Sequence, residues 1–159
     1  MTKNQKKIWI TGASSGIGKA LAKKFASEGW KVAVSARRKE ILDEMAINEN
    51  MSSYPLDVTN LEQVEDVFSQ IINDFVDLDL CVFSSGTYDP KLEQEINIKQ
   101  NKFVMETNFF GVLNCIKSVE KYFKGKKNGH ISIVSSIASY RGLPNSSGYG
   151  PSKAALTNL

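Results

Sequence analysis

Residues 7–18 read Lys7-Ile8-Trp9-Ile10-Thr11-Gly12-Ala13-Ser14-Ser15-Gly16-Ile17-Gly18. An apolar run passes into a Gly/Ser cluster, after which Ile17, Ala20, Leu21 and Phe25 recur at helical spacing up to Gly29. This succession predicts a strand, a tight turn and a helix, and the alternation continues outward from it. Strands are expected over residues 31–36, 53–56, 78–83 and 130–134, each an apolar or β-branched run. Between them lie a short helix over 39–47, a helix facing inward with Leu61, Val64, Val67, Phe68, Ile71 and Ile72, and a long helical stretch through Phe103, Val104, Asn108, Val112, Cys115, Ile116 and Val119. A further helix is expected to open near Ser147. Strands apolar on both faces and separated by helices predict a parallel sheet covered on each side, with right-handed crossovers, so the fold class is α/β and doubly wound.

The 159 residues, 42% of them apolar, fit a single domain over 1–159 with a core of its own. No solenoid-length repeat, low-complexity run or Pro-rich linker divides it. Lys and Arg total 20 against 17 Asp and Glu, and a net charge of +3 is too small to point to a nucleic acid or membrane partner. One histidine excludes a multi-histidine zinc site, and Cys81 and Cys115 form no C-x-x-C, so no metal and no disulfide framework is expected. His130 and the two cysteines are read as structural. The opening MTKNQKK lacks the apolar core of a signal peptide and no apolar run reaches bilayer length, so the expected location is the cytoplasm. Lys121, Lys124, Lys126 and Lys127 read as a solvated helix end whose cations suit the C-terminal dipole.

The Gly-rich turn is the first candidate site. Glycines let the backbone turn sharply and approach a pyrophosphate, whose charge meets the N–H groups and dipole at the following helix N-terminus. Gly12, Ser14, Ser15, Gly16, Ile17 and Gly18 are therefore candidate cofactor-binding residues. The spacing differs from G-x-G-x-x-G, and a tight turn built for steric reasons alone is the alternative. About 20 residues beyond, where the adenosine ribose of a dinucleotide would lie, stands Ala36-Arg37-Arg38, with no acidic residue after that strand before Glu40. An acidic side chain there suits NAD, whereas a 2′-phosphate needs cationic donors. Arg37 is the candidate partner of an NADP(H) 2′-phosphate; arginines on a solvated loop are the alternative, more so for Arg38.

Tyr149-Gly150-Pro151-Ser152-Lys153 places a phenol and an ammonium at i and i+4 on one helix face. A free phenol, with a reference pKa of about 10, is a poor acid–base group at neutral pH, and a nearby cation favours the phenolate. Pro151 is compatible with a first helical turn, whose N–H groups lack helical partners. Such pairs also occur by chance, and the ordered company decides the reading: TGASSGIG (11–18), Asp57-Val58, Asn108 in Met105-Glu106-Thr107-Asn108-Phe109-Phe110-Gly111, Ser136 in IVSSIAS and Tyr149-x-x-x-Lys153.

Over nearly the whole chain this set resembles the short-chain dehydrogenase/reductase family. The resemblance implies a Rossmann fold. It gives Asp57, beside Val58, a contact to the adenine amino group, and Gly86 the room for the cofactor beside the fourth strand. Ser136 would hydrogen-bond the substrate oxygen, Tyr149 would be the acid, and Lys153 would bind the nicotinamide ribose while tuning Tyr149. Asn108 would hold a water linking Lys153 to solvent. Ser136 fits the family's spacing to the tyrosine better than Ser135. As residues alone, Asn108 reads equally as a buried amide satisfied by backbone, and the two serines as local strand-end partners. One departure is plain: the family's N-N-A-G after the fourth strand is Phe83-Ser84-Ser85-Gly86 here. Ser84 is therefore expected to lose a bridging hydrogen bond worth roughly 0.5–1.5 kcal/mol.

The expected activity is hydride transfer between NADP(H) and a small-molecule carbonyl or alcohol, with a non-catalytic NADP(H)-binding sensor of the same fold as the alternative. The resemblance also implies a homo-oligomer, dimer or tetramer, in the full-length form. The final Ala154-Ala155-Leu156-Thr157-Asn158-Leu159 carries no stop signal, and only five strands are counted. The chain is thus expected to be the N-terminal part of a longer single-domain protein, truncated after the fifth strand and the start of the next helix, with residues 130–134 as an apolar edge.

Overall fold

The computed structural model describes residues 5–47 and 50–159, so the first four residues of the polar opening lie outside it. The elements in order are β1 (Lys7–Thr11), α1 (Gly16–Ser27), β2 (Lys31–Ser35), α2 (Lys39–Met45), β3 (Met51–Ser53), α3 (Leu61–Phe75), β4 (Leu80–Phe83), α4 (Ile98–Met105), α5 (Gly111–Lys126), β5 (His130–Ile133) and α6 (Tyr149–Thr157). A π-helical turn, Glu106–Phe110, joins α4 to α5, and a 3-10 turn, Ile137–Ser139, follows β5. The five strands are parallel in the order β3-β2-β1-β4-β5, with Trp9 opposite Ala33 on one side and Cys81 on the other. The order reverses between β1 and β4, and such a reversal opens a crevice at the carboxyl ends of the strands.

Alternate residues of each strand feed opposite layers. Ile8, Ile10, Val32, Val34 and Val82 pack with Ala22, Leu42 and Met45 of α1 and α2. Trp9, Ala33, Cys81 and Phe83 pack with Val64, Ile71, Val112, Cys115 and Val119 of α3 and α5. Trp9 is fully buried, donates its indole N–H to Ser35 Oγ at 2.9 Å and meets Phe68 and Phe83. Cys81 and Cys115 sit in the same layer; burial pushes the Cys81 thiol far up and the Cys115 thiol up to about 12.

The boundaries depart from expectation in instructive places. β3 is Met51–Ser53, upstream of the expected 53–56. The chain nevertheless keeps pairing, because the N–H groups of Tyr54 and Leu56 reach Val34 O and Ala36 O at 2.9 Å. Pro55 falls between them, at a position whose missing N–H would face away from the sheet, the place where an edge strand tolerates proline. β4 starts at Leu80 with Asp79 N–H already on Lys7 O, and α2 ends at Met45. α6 starts at Tyr149, two residues later than expected. The solvated reading of the lysine stretch is corrected at Lys126. That side chain is only 21% exposed and ties α5 to the α3–β4 connection through Asp77 Oδ1 at 2.6 Å and Leu78 O at 2.8 Å. β5 stands at the sheet edge, paired with β4 and less buried than the other strands.

Candidate active site

The crevice at the switch point is a cleft of about 610 Å³, within the range of small-molecule sites. At one end lies the turn between β1 and α1. Gly12 has φ +68°, and a Cβ there would lie 2.7 Å from Ser84 O, so the turns after β1 and β4 touch only because no side chain intervenes. Gly16 has φ +53°, and a Cβ there would meet nothing within 4 Å. Ser15 begins α1 without a side-chain cap, and the first turn carries no acidic residue, so its donors and positive dipole remain for an anion. Ser14, Ser15, Gly16, Ile17 and Gly18 all line this end.

Arg37 and Arg38 both line the cleft. Arg38, read as the more solvated of the two, donates to Ser14 Oγ from Nη2 at 2.8 Å and Nε at 3.2 Å, which fastens it over the Gly/Ser turn. Arg37 makes no hydrogen bond or ion pair among the described residues and is exposed. Asp57 holds its turn by accepting from Thr59 N–H at 3.0 Å and Thr59 Oγ1 at 2.8 Å, both on Oδ1. The other oxygen, Oδ2, makes no hydrogen bond among the described residues. Val58 beside it is buried, and its carbonyl is held by Asn114 of α5 at 2.9 Å.

The opposite end is built by α6. Lys153 is 4% exposed and donates from Nζ to Val134 O at 2.9 Å; burial pushes its pKa below the ordinary lysine range. Its Nζ lies 5.8 Å from the centre of the Tyr149 ring, as the i, i+4 spacing requires. A Cβ on Gly86 would sit 3.6 Å from that Nζ and 3.4 Å from Asn108 Oδ1, so the absence of a side chain keeps the front of Lys153 open. The phenol of Tyr149 has no hydrogen-bond partner among the described residues. Ser136 begins the 3-10 turn by accepting from Ala138 N–H at 3.2 Å, which leaves its own O–H to donate. Ser135 lines the cleft, but its Oγ is taken up by Lys153 O and Thr157 Oγ1.

Asn108 lies in the π-helical turn and is fully buried. Both its N–H groups are used, on Thr87 O at 3.0 Å and Ser152 Oγ at 3.1 Å, while Oδ1 accepts from Thr87 N–H at 2.7 Å. Its carboxamide is thus held by protein partners. Ser152 passes the connection on by donating to Tyr149 O at 2.7 Å. The expected loss at Ser84 does not occur: its Oγ donates to Thr11 O at 2.7 Å, bridging the ends of β4 and β1 with a short side chain.

Three residues here escaped the sequence reading. Ser152 sits inside the Tyr-x-x-x-Lys run, three residues after Tyr149, and that spacing could have shown it. Tyr88 stacks on Tyr149 with ring centres 4.4 Å apart and reaches Asn145 O at 3.0 Å. Glu93, 2% exposed, accepts the N–H groups of Gly148 and Tyr149. Neither of these two has a periodic or motif signal.

With the turn, the buried lysine and the free phenol in one crevice, comparison with known proteins decides the family. The family model for short-chain dehydrogenases matches residues 6–159. The chain belongs to the short-chain dehydrogenase family. It is 29% identical to an uncharacterised oxidoreductase of Staphylococcus epidermidis over 98% of this chain and 69% of that protein. It is 31% identical to one of Mycobacterium tuberculosis over 98% and 64%. The solved structure of ElxO with NADP bound superposes with a TM-score of 0.90 at 30% identity, covering 98% of this chain and 65% of that one. The chain thus spans about two thirds of these family members. As a member of this family it has a Rossmann-type fold, and no helix among the described residues is long and apolar enough to cross a membrane.

Proposed function

We propose that the protein is an NADP(H)-dependent reductase of small carbonyl compounds. The observation that carries this is the convergence in one cleft of an uncapped Gly/Ser turn, an unpartnered arginine, the free phenol of Tyr149 and a buried lysine, with Ser136, whose O–H is left to donate, next in the chain to the cleft-lining Ser135. The residues present fit the cofactor: Gly16 leaves space beside the helix terminus, Arg37 is free for a 2′-phosphate and Gly86 leaves room before Lys153. The NADP-bound relative supports the same choice.

When bound, the cofactor supplies the hydride that reaches the carbonyl carbon. Tyr149 gives its phenol proton to the carbonyl oxygen as negative charge develops there, Ser136 donates a hydrogen bond to that oxygen, and the Lys153 cation favours the phenolate left behind. The brace Thr87–Asn108–Ser152–Tyr149 ties the loop after β4 to the backbone that carries Tyr149. The test is oxidation of NADPH and NADH, assayed separately with aldehydes, ketones and 3-oxoacyl thioesters, on the natural full-length protein. We expect turnover with NADPH. Tyr149→Phe is expected to lower the rate by about 10²–10⁴-fold while changing NADPH affinity by less than about threefold. A phenylalanine variant that kept its rate would overturn the assignment of the acid, and NADPH binding without turnover of any carbonyl would favour a sensor.

A further inference from the structure

The first N–H groups of a helix have no partner within it, and in α6 each can be traced. Ser152 N–H reaches Gly148 O at 3.1 Å, Pro151 has none, and Gly150 N–H reaches Ser146 O at 3.0 Å. The remaining two, on Gly148 and Tyr149, both go to Glu93 Oε2, at 2.8 and 3.0 Å. Helices are ordinarily capped by a Ser, Thr, Asp or Asn at their own N-cap. Here the N-cap is Gly148, where a Cβ would lie 3.0 Å from Asn101 Cα and 3.2 Å from Asn101 Oδ1, so a local capping side chain does not fit without moving α4. The cap is delivered instead from 55 residues away, by the loop between β4 and α4 that also lays Tyr88 on the Tyr149 ring. It is a costly cap: Glu93 is 2% exposed, and its Oε1 has no hydrogen-bond partner among the described residues. Breaches of this kind collect where function demands them.

We propose that Glu93 is a positioning residue for Tyr149. By holding the N–H groups of Gly148 and Tyr149 it sets the point at which Tyr149 enters α6, and thereby the place of the phenol against Lys153 one turn further on. The inference rests on the reading of Tyr149 as proton donor, but the grip itself can be read without turnover.

The experiment compares Glu93→Met, of similar length with no oxygen to accept, with Glu93→Gln, which keeps one, in the natural full-length protein. In Glu93→Met, amide hydrogen exchange at Gly148 and Tyr149 is expected to accelerate at least tenfold, and the ring signals of ¹³C-labelled Tyr149 to shift. In Glu93→Gln both are expected to return to wild-type values. In the reductase assay, kcat is expected to fall at least tenfold in Glu93→Met, with KM for NADPH changed less than threefold, and to recover to within about threefold in Glu93→Gln. Wild-type exchange and ring signals in Glu93→Met, or loss in Glu93→Gln equal to that in Glu93→Met, would overturn the proposal. Should Glu93→Met not fold, the unchanged protein still decides: scalar coupling across the hydrogen bonds, from the Gly148 and Tyr149 amide nitrogens to the Glu93 carboxyl carbon, is expected, and its absence overturns the proposal. Absence of turnover in the wild type would refute the reductase reading alone, the exchange and ring signals still judging Glu93.

Discussion

Arg37 and Lys153 mark the two ends of the cleft, and each makes a separate prediction. Arg37 has no partner to surrender, so a 2′-phosphate contact would keep most of a charge-assisted hydrogen bond, about 1.5–3 kcal/mol, or roughly tenfold or more in affinity. NADPH is expected to bind that much more tightly than NADH, and Arg37→Ala to erase most of the difference; equal dissociation constants in the unmodified protein would refute it. Lys153 is held below its ordinary pKa by burial. Between the lowered folded value and the unfolded 10.5 the unfolded chain binds more protons, so stability from this group rises with pH across that window, and the penalty is complete below it. Lys153→Met removes the penalty. Its unfolding free energy relative to wild type is therefore expected to be flat below that window and to fall across it as pH rises towards 10.5, as seen in urea titrations; a difference unchanged up to pH 10.5 would contradict the buried charge. At this scale the meeting of the glycine turn, Tyr149 and Lys153 in one cleft was legible because each belongs to a short run with a chemical reason, and that of Asp57 only through the family resemblance. Tyr88 and Glu93 were not, because what they do depends on a loop folding back on a helix far along the chain.

Between elements, the clearest energetic link is Asp77, at the junction of α3 and β4. Burial pushes this carboxyl up, but hydrogen bonds from Lys126, from Tyr122 Oη at 2.7 Å and from Leu78 N–H more than offset it and hold the pKa at about 2. Burial, followed by the Asp77 contact, pushes Tyr122 up to about 12. A carboxyl lowered from 3.8 to about 2 contributes stability that is complete above 3.8 and is lost as pH falls towards 2. Its nominal worth of about 2.4 kcal/mol shrinks to about 1 kcal/mol because the side chain is 36% exposed and screened by solvent. Asp77→Asn is expected to lose about that much stability at pH 7, and the loss should fade below about pH 4; an undiminished loss at pH 3 would show that the cause is packing. The element boundaries teach a related lesson. Helical spacing carried the reading straight from α4 into α5 and gave no sign of the π-helical turn that seats Asn108, since one additional residue per turn barely disturbs an apolar pattern. β3 was displaced because a strand at the edge, interrupted by Pro55, pairs without regular alternation.

For the molecule as a whole, the parallel sheet and its two covering layers were readable because strands buried on both faces must be apolar throughout and helices need cover only one face. The sheet order follows from those crossovers, and it sets the switch point between β1 and β4 beside the first glycine turn. Long-range polar links such as Lys126 to Asp77 and Ser84 to Thr11 could not be read, since nothing local in the sequence pairs those residues. The burial of Cys81 and Cys115 has a practical consequence. Neither sulfur can meet an alkylating reagent until the layer between the sheet and α5 parts. A domain stable by about 5–15 kcal/mol opens globally in fewer than about one molecule in a thousand. Labelling with iodoacetamide in native buffer is expected to be at least about a thousandfold slower than in denaturant, and both sulfurs should be modified together. Modification of Cys115 alone would reveal that α5 lifts before the sheet gives way. The pair thus serves as a timer of the protein's own disassembly, read by mass spectrometry as the joint gain of two alkyl groups.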